Sequence, residues 1–124
     1  MRIVQAKLFI DNSYSQSINL NQITGEAFLS KFHFIRTFKL IYVYTPNQYL
    51  QRVRIEKAKL YLKGTMSIED ICHSVGFVSV PSFISLFKRR LGQTPEAFRK
   101  AYLEKRKQSE SNPFKFIPAC FSGI

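Results

Sequence analysis

Apolar residues recur at helical spacing along most of the chain. Phe34 and Phe38 stand four apart, as do Phe83 and Phe87, which puts each pair on one face of a helix. Between them, Leu50, Val53, Ala58, Tyr61 and Leu62 keep the same period across a stretch that opens at Pro46 and closes at Gly64. Helix starts are marked as well. Thr45 precedes Pro46 and Thr94 precedes Pro95, an N-cap hydroxyl ahead of a proline at the first helical position. Ser67, with Asp70 three residues on, resembles a capping box that uses aspartate. The pattern predicts an all-α fold of seven helices, at about 2–12, 19–26, 31–40, 46–63, 68–74, 80–90 and 95–106. Residues 40–44 (LIYVY) have strand composition, but they are only five residues between two helical patterns. Pro113 and Pro118 break any helix over 112–124, which reads as a tail.

The helical pattern is duplicated. FIRTFK at 34–39 and TPNQY at 45–49 return as FISLFK at 83–88 and TPEAF at 94–98, 49 residues later in each case. Upstream, INLNQI at 18–23 matches MSIEDI at 66–71 with an offset of 48. Two copies are too few for a solenoid and fit a doubled supersecondary unit. In each copy a short helix precedes a turn and a basic helix, the arithmetic of a helix-turn-helix. The expected organisation is a first helix-turn-helix unit at 1–45, a linker helix at 46–63, a second unit at 64–108 and a C-terminal tail at 109–124. At about 1.5 Å per residue the linker helix spans roughly 27 Å. With helix radii added, it can hold two reading elements near the roughly 34 Å that separates successive major grooves.

Composition narrows the partner. The chain has 124 residues, 45% of them apolar, with five Gly and five Pro, which bounds it to about one ordered domain. Its net charge is +11, which suggests nucleic acid first and an anionic membrane surface second. The charge is blocked. Residues 30–65 carry eight basic against one acidic and residues 88–108 eight against two, while Glu69 and Asp70 are the only charges over 66–87. Cys72 and Cys120 make neither a disulfide framework nor a zinc pattern, and Cys72 falls inside an apolar helix as a buried free thiol. The start of the chain is too polar for a signal peptide, and no apolar run approaches the roughly 20 residues of a membrane span. A reducing cytoplasm is the expected location. His33 and His73 stand apart in the sequence, no carboxylates pair, and no glycine loop is shaped to cradle phosphate. No enzyme activity, cofactor or metal is expected.

The duplicated basic helices carry the chemistry. With Phe34 and Phe38 turned to the core, Lys31, Phe32, Ile35 and Arg36 lie on the other side. Arg36 can pair bidentately with guanine O6 and N7, and Phe32 and Ile35 either contact thymine methyl groups or join the core. In the second copy the exposed positions are Ser79, Val80, Pro81, Ser82 and Ser85, which have few long hydrogen-bonding arms and suit shape-based reading. Lys88, Arg89 and Arg90 follow at once and suit phosphate, as do Lys39 and Arg54.

Over about residues 3–103 the chain resembles the DNA-binding domain of the AraC-type bacterial transcription regulators. The resemblance rests on NLNQITGEAFLSKFHFIRTFK, on TPNQYLQRVRIEKAKLYL, and on SIEDICHSVGFVSVPSFISLFKRRLGQTPEAFRK. It implies two helix-turn-helix units joined by a long helix, with recognition helices in successive major grooves on one DNA face. Lys31, Phe32, Ile35 and Arg36 match the base-reading positions of the first unit, and Val80, Pro81 and Ser85 those of the second. Two departures stand out. The second unit keeps Gly76 and Gly92, where the first has Ala27 and Val43 at an offset of 49. A left-handed Ala27 would cost about 1–2 kcal/mol, so the first turn is expected to take another shape. Ser85 stands where the family usually has arginine, which weakens direct base reading there. The expected function is sequence-specific binding of double-stranded DNA by a transcription regulator of the bacterial cytoplasm and nucleoid. RNA polymerase or a regulatory domain outside this chain are the further expected partners, and no membrane is. The alternatives are a non-specific nucleic-acid binder, or a protein-interaction module built on the apolar 40–44 turn.

Overall fold

The computed structural model describes residues 2–19, 22 and 31–111; among these there are six helices and no strand. They are α1 (Arg2–Ser13), α2 (Lys31–Tyr42), α3 (Pro46–Leu62), α4 (Ile68–Ser74), α5 (Val80–Leu91) and α6 (Pro95–Ser111). Each coincides with an expected helix. The seventh, at 19–26, lies outside the described residues except at its start. There Asn19 and Gln22 each donate a backbone N–H to the other's side-chain oxygen at 2.9 Å, the reciprocal bonding of a helix-opening box. Ala27, with its expected turn shape, also lies outside the described residues.

Two boundaries differ from expectation by more than one residue. Helix α2 continues to Tyr42, two residues past the expected end at 40, so Ile41 and Tyr42 of the LIYVY run are helical as well. Helix α6 reaches Ser111, into the segment read as tail, because no glycine or proline interrupts the chain before Pro113.

The starts follow the chemistry at each junction. Thr45 Oγ1 accepts from the Gln48 N–H at 3.2 Å while Gln48 Oε1 accepts from the Thr45 N–H at 3.0 Å, and Pro46 fills the first turn. Ser67 and Ser79 accept from the N–H groups of Asp70 and Ser82, and Thr94 from that of Ala97. These bonds satisfy amide donors that helix ends leave open.

Two apolar clusters hold the helices. In the first, Ile3, Ala6 and Ile10 of α1 meet Phe34 and Phe38 of α2 and Leu50 of α3. In the second, Ile55, Ala58 and Leu62 of α3 meet Ile71 and Val75 of the α4 segment and Phe83 and Phe87 of α5. Both Phe pairs are fully buried. Each such ring stabilises by about 1.5–3 kcal/mol through burial. The repeat persists in the packing. Phe38 meets Tyr49 edge-on at 5.8 Å, and Phe87 meets Phe98 edge-on at 5.7 Å, 49 residues on in each partner. Helix α3 supplies both clusters and is therefore the spine of the fold. Cys72 is buried and free in the second cluster, where burial, then Glu69, pushes its thiol up.

Candidate nucleic-acid interface

Burying Phe34 and Phe38 fixes the outward face of α2. Lys31, Phe32, Arg36 and Lys39 are exposed, and Phe32 is 80% so, which removes it from the core. Ile35 is half-buried on the edge of the same face. The amphipathic turn of α2 thus presents three cations and a bare aromatic ring together.

Helix α5 repeats the arrangement with shorter arms. Phe83 and Phe87 face in, Pro81 and Ser85 face out, and Lys88, Arg89 and Arg90 crowd its last turn. Cations there are favoured by the helix dipole. Val80 departs from its expected place: it is half-buried and packs against the second cluster, since it lies one turn before Ile84 and close to Phe83. None of Lys31, Arg36, Lys39, Lys88, Arg89 or Arg90 forms an ion pair among the described residues. These side chains are all exposed.

Arg54 is a correction. It was expected among the phosphate contacts, but it is only 7% exposed. Leu50, Arg54, Ala58 and Leu62 succeed one another at four-residue intervals, and all are buried, so Arg54 is on the inner face of α3. Its Nε donates to the Tyr14 carbonyl at 2.7 Å and its Nη2 to the Gln16 carbonyl at 2.9 Å. Burial pulls its pKa below the usual arginine value, and no described carboxylate pairs with it.

A cleft joins the start of α3 to α5. Asn47, Gln48 and Gln51 line one side, and Ser82, Leu86, Arg89 and Arg90 the other. Gln51 Oε1 is buried there without a hydrogen-bond partner among the described residues. Sequence reasoning missed the three amides, because 38 to 43 residues separate them from the arginines they face. Among the described residues no group of His, Cys, Asp and Glu is placed to hold a metal ion, and no helix is long and apolar enough to cross a membrane.

Comparison with known proteins follows the same lines. A family model described as a helix-turn-helix domain matches residues 23–101. A bifunctional transcriptional activator and DNA repair enzyme of Bacillus subtilis, AdaA, is 40% identical over 92 residues, covering 73% of this chain and 44% of that protein. The chain therefore spans less than half the length of that relative. Among solved structures, the DNA-binding domain of AdpA, in complex with a target DNA, superposes with a TM-score of 0.80 at 24% identity, covering 86% of this chain and 96% of that one. A probable AraC family transcriptional regulator from Rhodopseudomonas palustris gives 0.71 at 18% identity, covering 82% and 96%. At these identities the two structural likenesses establish the fold.

Proposed function

Because the chain belongs to the AraC-type helix-turn-helix family of transcription regulators, we propose that it binds double-stranded DNA in a sequence-specific way through α2 and α5. The observation that carries this reading is the repeated outward face. Each helix buries a Phe pair and turns cations to solvent, 49 residues apart. Residues 1–45 and 64–108 act as two reading units, and 46–63 as the linker. Helix α3 is 17 residues long, about 25 Å, which suits contacts in successive major grooves.

Roles follow from side-chain chemistry. Arg36 reads guanine, Lys31 adds a second donor, and Phe32 with Ile35 meets thymine methyl groups. On α5, Pro81, Ser85 and the edge of Val80 fit the groove by shape. Lys39, Lys88, Arg89 and Arg90 take phosphates, which fix register without reading sequence. The chain has no catalytic role in this reading, and it works in the cytoplasm.

Selection from a random duplex library at about 150 mM salt tests it, a condition under which phosphate contacts alone bind weakly. The expected result is an enriched site with two blocks about 10 base pairs apart, centre to centre. Recovery of no preferred sequence overturns it in favour of non-specific binding. One observation supports an additional protein contact. Leu40, Ile41 and Val43 are 80%, 54% and 71% exposed at the α2–α3 turn, a surface of the kind that marks partner sites. RNA polymerase or a regulatory domain outside this chain is the partner this reading assigns to it.

A further inference from the structure

Arg54 touches both helix-turn-helix units at once. Its two donated hydrogen bonds go to Tyr14 and Gln16, in the segment that follows α1. The other side of its guanidinium faces the second unit, 5.8 Å from the centre of the Phe77 ring. Gly76, in the turn between α4 and α5, completes the contact. It has φ +101°, and a Cβ there would come 2.5 Å from the Tyr14 carbonyl oxygen and 2.9 Å from Arg54 Nε. The turn of the second unit thus rests on backbone of the first, with the guanidinium between them.

A second arginine shows what is special about this one. Arg99 of α6 donates Nε to the Leu62 carbonyl at 3.0 Å and Nη2 to the Met66 carbonyl at 2.5 Å. Leu62 lies 48 residues after Tyr14, the offset of the upstream repeat, so one carbonyl of the clamp is duplicated, while the second, Met66, lies two residues beyond the counterpart of Gln16. The clamping residues are not equivalent. At the downstream offset of 49, Leu50 and Arg54 correspond to Arg99 and Leu103, so leucine and arginine have exchanged places across one helical turn. The extra turn takes Arg54 further along α3, to where the second unit packs. Among the described residues Arg99 has no comparable contact with another unit's turn.

We propose that Arg54 is the positioning residue that sets the register between the two reading helices, locking the α1 end of the first unit to the α4–α5 turn of the second. Its fork geometry suits this role. One planar group donates to two carbonyls of one segment while its face covers a ring of another. The two helices then form a rigid gauge of half-site spacing. The inference rests on the reading that both helices enter DNA.

The test uses the full chain with Arg54→Met, which keeps length and removes the donors, and Arg54→Lys, which keeps charge and one donor site. Duplexes carry the selected site with one or two base pairs added or removed between its halves, each turning one half by about 35°. The wild type should lose at least tenfold in affinity two base pairs from the preferred spacing. Arg54→Met should lose less than threefold over the same change, and Arg54→Lys an intermediate amount. In the free protein, spin labels at Phe32→Cys and Ser85→Cys, in a Cys120→Ser background, should give a narrow distance distribution that broadens at least twofold with Arg54→Met. If Arg54→Met does not fold, Arg54→Lys carries the same comparison. Folded variants that keep the wild-type spacing profile and distance width overturn the proposal. A wild type that binds no duplex overturns the DNA reading instead, and the distance distributions still decide whether Arg54 locks the units.

Discussion

Val43 and Gly92 end α2 and α5 in the same left-handed backbone state, with φ of +76° and +77°. Each amide closes the same bond, Val43 N–H to the Lys39 carbonyl at 2.8 Å and Gly92 N–H to the Lys88 carbonyl at 2.7 Å. This is the usual glycine ending of a helix. A β-branched residue there is strained by about 1–2 kcal/mol. Val43→Gly should relieve that strain and return part of the gain as unfolded-chain entropy, for a net stabilisation of about 0.5–1 kcal/mol. Gly92→Val should destabilise by about 1–2 kcal/mol. Urea unfolding midpoints measure both, and a lower midpoint for Val43→Gly would contradict the strained ending.

Unequal reading by the two helices is the second expectation. A bidentate arginine–guanine pair supplies about 1–3 kcal/mol of base discrimination. Arg36→Ala should therefore flatten preference at one base position, while Ser85→Ala changes little. Arg89→Ala should weaken all sequences about equally and reduce the salt slope by about one. Binding isotherms on the selected site and on scrambled DNA separate the three. Greater loss of discrimination from Ser85→Ala than from Arg36→Ala would reverse the assignment of α2 as the main reader.

Affinity should fall steeply with salt. The outward cations of the two basic blocks suffice for roughly six phosphates, which gives a log–log slope near −5. Arg54 adds nothing to this number, since it is buried. Titrations between about 50 and 200 mM salt measure the slope, and a value shallower than about −2 is incompatible with two engaged units.

Alkaline pH should unfold the chain more readily. Burial raises the pKa of Cys72 above the ordinary 9.0 and those of Tyr14 and Tyr49 above 10.0. The folded state then holds protons that the unfolded state releases, so stability falls as pH rises through the unfolded values. Below about pH 8 these groups are protonated in both states and contribute no slope. Urea midpoints should be flat from pH 7 to about 8 and decline towards pH 10.5. Tyr49→Phe should flatten the decline, because it removes a phenol whose proton is bound to Asp11 at 2.6 Å. Midpoints that rise over this range would refute the assignment.

Much of the architecture is local in its causes and was legible for that reason. The Phe34/Phe38 and Phe83/Phe87 pairs set helix phase, and the Thr–Pro steps at 45 and 94 set helix starts, within a few residues of each other. Arg54 was misplaced because a tally of basic residues treats every cation as solvated. Its phase with Leu50 and Ala58 held the opposite answer, since a residue four from each shares their buried face. The cleft that sets Asn47, Gln48 and Gln51 against Arg89 and Arg90 had no such signal. It arises only when α3 and α5 pack. Val43 had a signal, the missing glycine, but the chain kept the glycine geometry and accepted the strain.

Helix α3 gives Leu50 to one cluster and Ile55, Ala58 and Leu62 to the other, and Tyr14 packs against both. Neither half can lose its order without baring part of the same helix. The molecule should therefore melt as one cooperative body rather than as two successive units, and native-state hydrogen exchange should find its slowest amides in the middle of α3. A fragment cut within α3 would inherit an apolar stripe with nothing to cover it, so the two clusters are not divisible into two separate folds.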